Sequence, residues 1–134
     1  MHANDTNSTN KLIYPESCYI VNGVCFEVHN ELGRYAREKQ YGDLLEKKLL
    51  AIGFPHKREF FVGDTGNIVD FLLDEKFILE IKAKRFITKE DYFQTQRYLQ
   101  VLDLKLGLLV NFRDKYLKPI RIVKIETSGR NRFV

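Results

Sequence analysis

From residue 17 onward, apolar side chains recur at three- and four-residue steps. Ile20, Val21, Val24, Cys25, Val28 and Leu32 form one stripe, which predicts an amphipathic helix ending near Gly33. A second stripe, Tyr41, Leu44, Leu45, Leu49 and Ile52, predicts another helix closed by Gly53, with Pro55 just beyond. Glu38 lies on the same face, three residues before Tyr41, so a carboxylate is projected along the buried stripe and would need a partner there. The period then shortens. Residues 58–62 are aromatic and strand-like, and Gly63-Asp64-Thr65-Gly66 is a turn cluster. Two apolar runs, 68–73 and 77–83, flank the polar break Asp74-Glu75-Lys76 and predict a β-hairpin. Thr88 is placed to cap a helix running from residue 89 to about 102, with Glu90 and Asp91 in its first turn. That helix offers Phe93, Leu99 and Leu102 to a core and sets Gln94 and Tyr98 one turn apart on one face. The compact run 107–112 suits a buried central strand, and residues 120–125, after Pro119, suit a strand nearer an edge. The order α-α-β-β-β-α-β-β predicts an α/β fold, a mixed β-sheet flanked by helices. Residues 1–12 are polar and aperiodic, which predicts a disordered tail before a single domain over 13–134.

The hairpin raises an electrostatic problem. Side chains alternate along a strand, so Ile68, Asp70 and Leu72 should share one face, as should Ile78, Glu80 and Lys82. If the turn is centred on Glu75, Asp70 stands opposite Glu80, with Cβ atoms roughly 5 Å apart, and like charges so placed are destabilising. Lys82 supplies part of the compensation. A bound divalent cation would supply the rest, at a site of hard oxygen ligands. The reading depends on register, because an odd slip would put the two carboxylates on opposite faces.

Composition changes this picture little. The chain has 134 residues, 44% hydrophobic and 30% charged, as expected of one soluble globular domain with a core of its own. No membrane span and no secretory leader is evident, so the cytoplasm is the expected location. Cys18 and Cys25 lie two helical turns apart, too far to bridge, and read as buried thiols. The formal charge is +4, but residues 113–134 hold seven basic residues against two acidic ones, a local excess of +5. Such an end is either a solvated face or a footprint for a phosphate backbone.

Taken in order, these residues resemble a known group. Glu38, Asp70, Glu80-Ile81-Lys82 and Gln94-Thr-Gln-Arg-Tyr98 follow one another as in the PD-(D/E)XK nuclease superfamily, with a QxxxY element similar to that of its RecB-like branch. The match is closer to the GxxExxY proteins, through VHNELG at 28–33, Glu38 and Tyr41 of the named motif, DFLL, LEIKA and LGLLVNF. Two positions depart from the pattern: Tyr35 replaces the first Gly, and Val69 precedes Asp70 where the superfamily's name has Pro. Neither supplies a metal ligand in the superfamily.

The resemblance implies a restriction-endonuclease-like core and a Mg²⁺ or Mn²⁺ site held by Asp70, Glu80, the backbone carbonyl of Ile81 and Glu38, directly or through water. Lys82 would position or deprotonate the attacking water, and Gln94 and Tyr98 would contact substrate phosphate or orient Lys82. Lys84 and Arg85 would hold the backbone of nucleic acid, DNA before RNA. The implied activity is metal-dependent phosphodiester hydrolysis. A binding or protein-interaction module on the same fold, with little turnover, is the alternative. Reading a defined DNA sequence with so small a chain would require a homodimer.

Overall fold

The computed structural model describes residues 13–126. The expected tail, and Arg130 and Arg132 of the basic end, lie outside the described residues. The chain forms α1 (Pro15–Leu32), α2 (Glu38–Ala51), β1 (His56–Phe61), β2 (Ile68–Leu73), β3 (Phe77–Lys82), α3 (Lys89–Leu102), β4 (Leu106–Asn111) and β5 (Ile120–Val123), the order expected from the pattern. Pro15 opens α1, where a missing N–H costs nothing. Gly33 closes it at φ 75°, a backbone region that favours glycine. Cys18, Val21, Val24, Cys25 and Val28 of α1 are buried, and both cysteines are free thiols. Ile20, assigned to this stripe from the sequence, is exposed, as is Ile52 at the end of α2. Ile20 is adjacent to the buried Val21, but a step of one residue turns a side chain about 100° around the axis, and Ile52 follows the last residue of α2.

The five strands form one mixed sheet in the order β1-β2-β3-β4-β5. β3 and β4 are parallel and joined through α3, and the other pairs are antiparallel. β5 is an edge strand, preceded by Pro119 as expected. Every residue of β4 is buried, consistent with a strand covered on both faces. On one face, α1 and α2 contribute Val21, Cys25, Val28, Tyr41, Leu45 and Leu49 to a core completed by alternate strand residues such as Phe71, Phe77, Leu79 and Leu108. On the other, Tyr98 and Leu99 of α3 meet Val69, Leu72, Ile78, Leu109 and Ile122. Phe93, expected in this core, is exposed, and the buried side of α3 is Asp91, Thr95, Tyr98 and Leu99. α3 lies close to the sheet at Gly107, where an added Cβ would sit 2.8 Å from Thr95 Cγ2 and 3.2 Å from Ile78 Cγ1.

The β2–β3 register pairs Phe71 with Leu79, Leu72 with Ile78 and Leu73 with Phe77, the even register centred on Glu75. Asp74 and Glu75 both take positive φ, and Lys76 N–H closes the turn on Leu73 O at 2.9 Å. One expectation fails. Val69 and Leu72 pack in the α3 core whereas Phe71 packs in the α1/α2 core, so regular alternation stops at Asp70. The neighbouring strand does the same. Arg58 pairs with Asp43 and Glu46 of α2, Phe60 packs on the α3 side, and Glu59 between them has φ 55°. β1 and β2 therefore change faces together at residues 59 and 70, with the pairing register the same on either side of the change. Asp70 does not share a simple face with Ile68 and Leu72. It opens instead towards α2.

Candidate active site

Asp70 and Glu80 meet where the hairpin's backbone ladder ends. Beyond Phe71 and Leu79, carboxylate oxygens take the place of carbonyl acceptors. Asp70 N–H donates to Glu80 Oε1 at 2.8 Å, and Ile81 N–H donates to Asp70 Oδ2 at 2.6 Å. The two residues lock each other, each using one carboxylate oxygen on a backbone N–H. Glu80 is only 6% exposed. Burial, with the Asp70 carboxylate beside it, pushes the Glu80 carboxyl up to about 8. Burial also raises Asp70, and Glu38 adds to that rise although the Ile81 N–H and Lys82 oppose it. Burial and the nearby like charges push both carboxyls in the same direction, which a positive charge at the pair would oppose.

Asp70 lines a cleft of about 250 Å³ with Glu38, Lys39, Gly42, Arg58 and Ile81. Glu38 is the first residue of α2 and exposed, so it does not need the partner predicted for a buried carboxylate. A helix start reaches into the cleft where a helix middle would have been sealed. A larger concavity of about 680 Å³ lies over α1 and α2 among Tyr19, Phe26 and Ile52, away from the paired carboxylates. The smaller polar cleft is the one that Asp70, Glu38 and Ile81 share, whereas Glu80 and Lys82 do not line it.

Lys82 leaves β3 on the face that meets α3. Its Nζ donates to Gln94 Oε1 at 3.3 Å and lies 3.7 Å from Asp91 Oδ1. Tyr98, one turn after Gln94, is buried, and burial followed by the Glu80 charge raises its hydroxyl. Gln94 and Tyr98 thus stand over the Lys82 and Glu80 end of the site. Lys84 bonds Asp91 Oδ2 at 2.7 Å, which turns it inward, whereas Arg85 is exposed over the Phe86 ring at 5.4 Å.

Asp91 is the site residue that sequence reasoning undervalued. It was legible as a first-turn acid, but its buried carboxylate also accepts from Thr88 N–H at 2.7 Å and gathers Lys82 and Lys84. Burial pushes Asp91 up, and the bonds from Lys84 and Thr88 outweigh that and hold it below the usual carboxylate range. The pattern Thr88-x-x-Asp91, a reciprocal cap, was the available signal. Asn111 was also missed. Its amide bonds Lys84 N–H and C=O at 3.1 and 2.8 Å, fastening the end of β4 to the chain after β3.

The donor set fits a hard divalent cation in part. Asp70 and Glu80 are interlocked oxygen donors in need of positive charge, and Ile81 lines the same cleft. Among the described residues, however, no three His, Cys, Asp or Glu side chains are grouped to hold a metal ion. Two carboxylates, a backbone carbonyl and water would make up the coordination, with Glu38 contributing from the cleft rim. Among the described residues no helix is long and apolar enough to cross a membrane.

The chain is similar to known proteins. A family model described as the PD-(D/E)XK nuclease superfamily matches residues 15–123, which includes every element of the sheet and all three helices. Arginine–tRNA ligases from two strains of Leptospira biflexa serovar Patoc are 32% identical over 88 residues, a segment that covers 63% of this chain. The chain spans 14% of the length of these curated relatives. No solved structure matches the chain.

Proposed function

Because the chain belongs to the PD-(D/E)XK nuclease superfamily, we propose that it is a divalent-metal-dependent nuclease that hydrolyses phosphodiester bonds of DNA. The observation that carries this reading is the interlocked pair Asp70 and Glu80, with Lys82 two residues beyond Glu80 on the same strand. A Mg²⁺ or Mn²⁺ ion at the pair would activate water and offset charge developing on the phosphate. Backbone N–H groups fix one oxygen of Asp70 and one of Glu80, which leaves the other oxygen of each to an ion, and Asp70 lines the cleft. Lys82, steadied by Gln94, presents its ammonium to the attacking water and the scissile phosphate. Asp91 keeps that ammonium from swinging outward. Tyr98 closes the buried side and excludes water from Glu80. Within the superfamily, Glu38 with Tyr41, and Gln94 with Tyr98, support placement in the GxxExxY group of the RecB-like branch.

The test is incubation of the protein with linear, circular and single-stranded DNA in Mg²⁺, Mn²⁺ or EDTA, beside Asp70→Ala and Lys82→Ala. Cleavage should require the ion and fall at least about a hundredfold in each variant. Metal-dependent cleavage surviving both substitutions would sink the site assignment. Tight binding with no cleavage by the parent protein would favour a binding module. A second reading, RNA as substrate, is favoured by the similarity to a segment of proteins named for ligating arginine to tRNA. A transfer RNA added to the substrate panel tests it.

A further inference from the structure

Three loops meet beside the candidate site, and each exposes an aromatic ring next to a cation. Between α1 and α2, Tyr35 is 73% exposed, with the Arg34 and Arg113 guanidinium carbons 5.3 Å and 5.4 Å from its centroid. After β3, Phe86 is 69% exposed with Arg85 at 5.4 Å. After β4, Tyr116 is 74% exposed with Lys115 at 5.5 Å. β3 and β4 run parallel, so the loops that follow them leave the same end of the sheet, the end at which Lys82 emerges.

These loops are tied together rather than loosely adjacent. Arg34 Nε donates to Arg113 O at 2.9 Å, and Arg113 Nε donates back to Arg34 O at 3.1 Å. Arg113 Nη2 reaches Ala83 O at 3.4 Å, and Asn111 bonds both backbone groups of Lys84. Inside the first loop, the buried Tyr41 hydroxyl donates to Gly33 O at 2.6 Å and accepts from Ala36 N–H at 3.2 Å, so Tyr35 is held from both sides. Large apolar rings left in water on braced loops serve no core, and holding them costs no further ordering when a flat ligand arrives.

We infer that Tyr35 and Phe86, with Tyr116 at the flank, form a stacking platform for single-stranded nucleic acid. Splayed bases lie on the rings while Arg34, Arg85, Arg113 and Lys115 meet the phosphates. Bases in a duplex already stack on one another, so they cannot use exposed rings in this way, whereas every single-stranded base offers a free face. The inference rests on the nuclease reading for its place beside the cleft, and it narrows the substrate of that site to unpaired strands, overhangs or frayed ends.

Fluorescence anisotropy in EDTA, where nothing is cleaved, measures it directly. The probes are one labelled mixed-sequence DNA oligonucleotide, alone and annealed to its complement, and the full chain is compared with Tyr35→Ala, Phe86→Ala and Tyr35→Phe. The single strand should bind more tightly than the duplex. Each alanine variant should lose about five- to hundredfold in single-strand affinity, with its melting temperature unchanged, and Tyr35→Phe should bind like the parent. Alanine variants that bind the single strand as the parent does, or a parent that prefers the duplex, would overturn the platform. A separate cleavage assay keeps the two ideas apart. Ring-dependent binding without cleavage supports the platform and removes the nuclease reading, whereas cleavage with ring-independent binding removes the platform alone.

Discussion

The two faces of one strand divide the work of this molecule. Phe77, Leu79 and Ile81 of β3 enter the core beneath α1 and α2. Ile78, Glu80 and Lys82 face α3, where apolar packing gives way within two residues to charge. The first face is sealed by aliphatic and aromatic groups at Phe77 and Leu79, where each buried side chain adds to stability, and reaches the rim of the polar cleft at Ile81. The second buries Glu80, Asp91 and Thr95. Such groups are tolerated only where partners are supplied, by the open end of the hairpin for Glu80 and by Lys84 and Thr88 for Asp91. The candidate site thus sits on a strand whose opposite side carries buried apolar packing that holds it in place.

The largest expected effect separates the faces most cleanly. Leu79→Ala removes a fully buried side chain from the α1/α2 core and should lower stability by about 2–5 kcal/mol in urea unfolding, with cleavage per folded molecule retained. If folded Leu79→Ala lost its cleavage, the division between the faces would fail.

Glu80→Gln probes the other face through pH. Glu80 holds its proton up to about 8 when folded and releases it near its ordinary value of 4.5 when unfolded. Between those values the folded state binds more protons, so this group's contribution is fully present at the low end and is lost as pH rises. The metal-free protein should therefore melt at falling temperature from about pH 5 to pH 8, and Glu80→Gln should flatten that slope. Adding Mg²⁺ to the parent should flatten it too, since the ion replaces the proton. An identical slope in parent and variant would locate the pH dependence elsewhere.

Gly107→Ala sharpens the comparison at the helix. The new methyl meets the buried Thr95 and Ile78 side chains, so α3 must shift outward, at a cost of about 1–3 kcal/mol by thermal or urea unfolding. Because α3 carries Gln94, cleavage should fall as well, unlike in Leu79→Ala. The smallest effect belongs to Thr88→Ala. Loss of the cap that Thr88 makes with Asp91 should lower stability by about 1 kcal/mol, seen as a modest drop in urea midpoint.

Much of the fold was legible because periodicity reports burial directly. The stripe Val21, Val24, Cys25, Val28 and the apolar run before Asn111 named their elements without help from the rest of the chain. The errors lie at the margins of stripes. Ile20, Ile52 and Phe93 are apolar but face water, because an apolar side chain does not state which way its helix will turn. Glu38 was assigned to the buried face by its spacing, yet it is the first helical residue and stands at an open cleft. The partners of Asp91 come from the end of β3, from Lys84 just after it and from its own cap, and only the cap could be read from neighbours in sequence.

By itself, the sequence determined the succession of elements, the even hairpin register centred on Glu75, and the candidacy of Asp70, Glu80 and Lys82. Local pattern and turn chemistry suffice for these, since a strand's side chains alternate and a short turn fixes what stands opposite what. Tertiary structure alone decided that β1 and β2 change faces together at Glu59 and Asp70, and that the carboxylates satisfy backbone N–H groups where the ladder opens. It also decided that three loops far apart in sequence lock beside Lys82 through Arg34, Asn111 and Arg113. The reason is physical: a side chain's hydrogen-bond partner is set by which elements pack together, and that follows from burial summed over the whole chain rather than from the residues beside it.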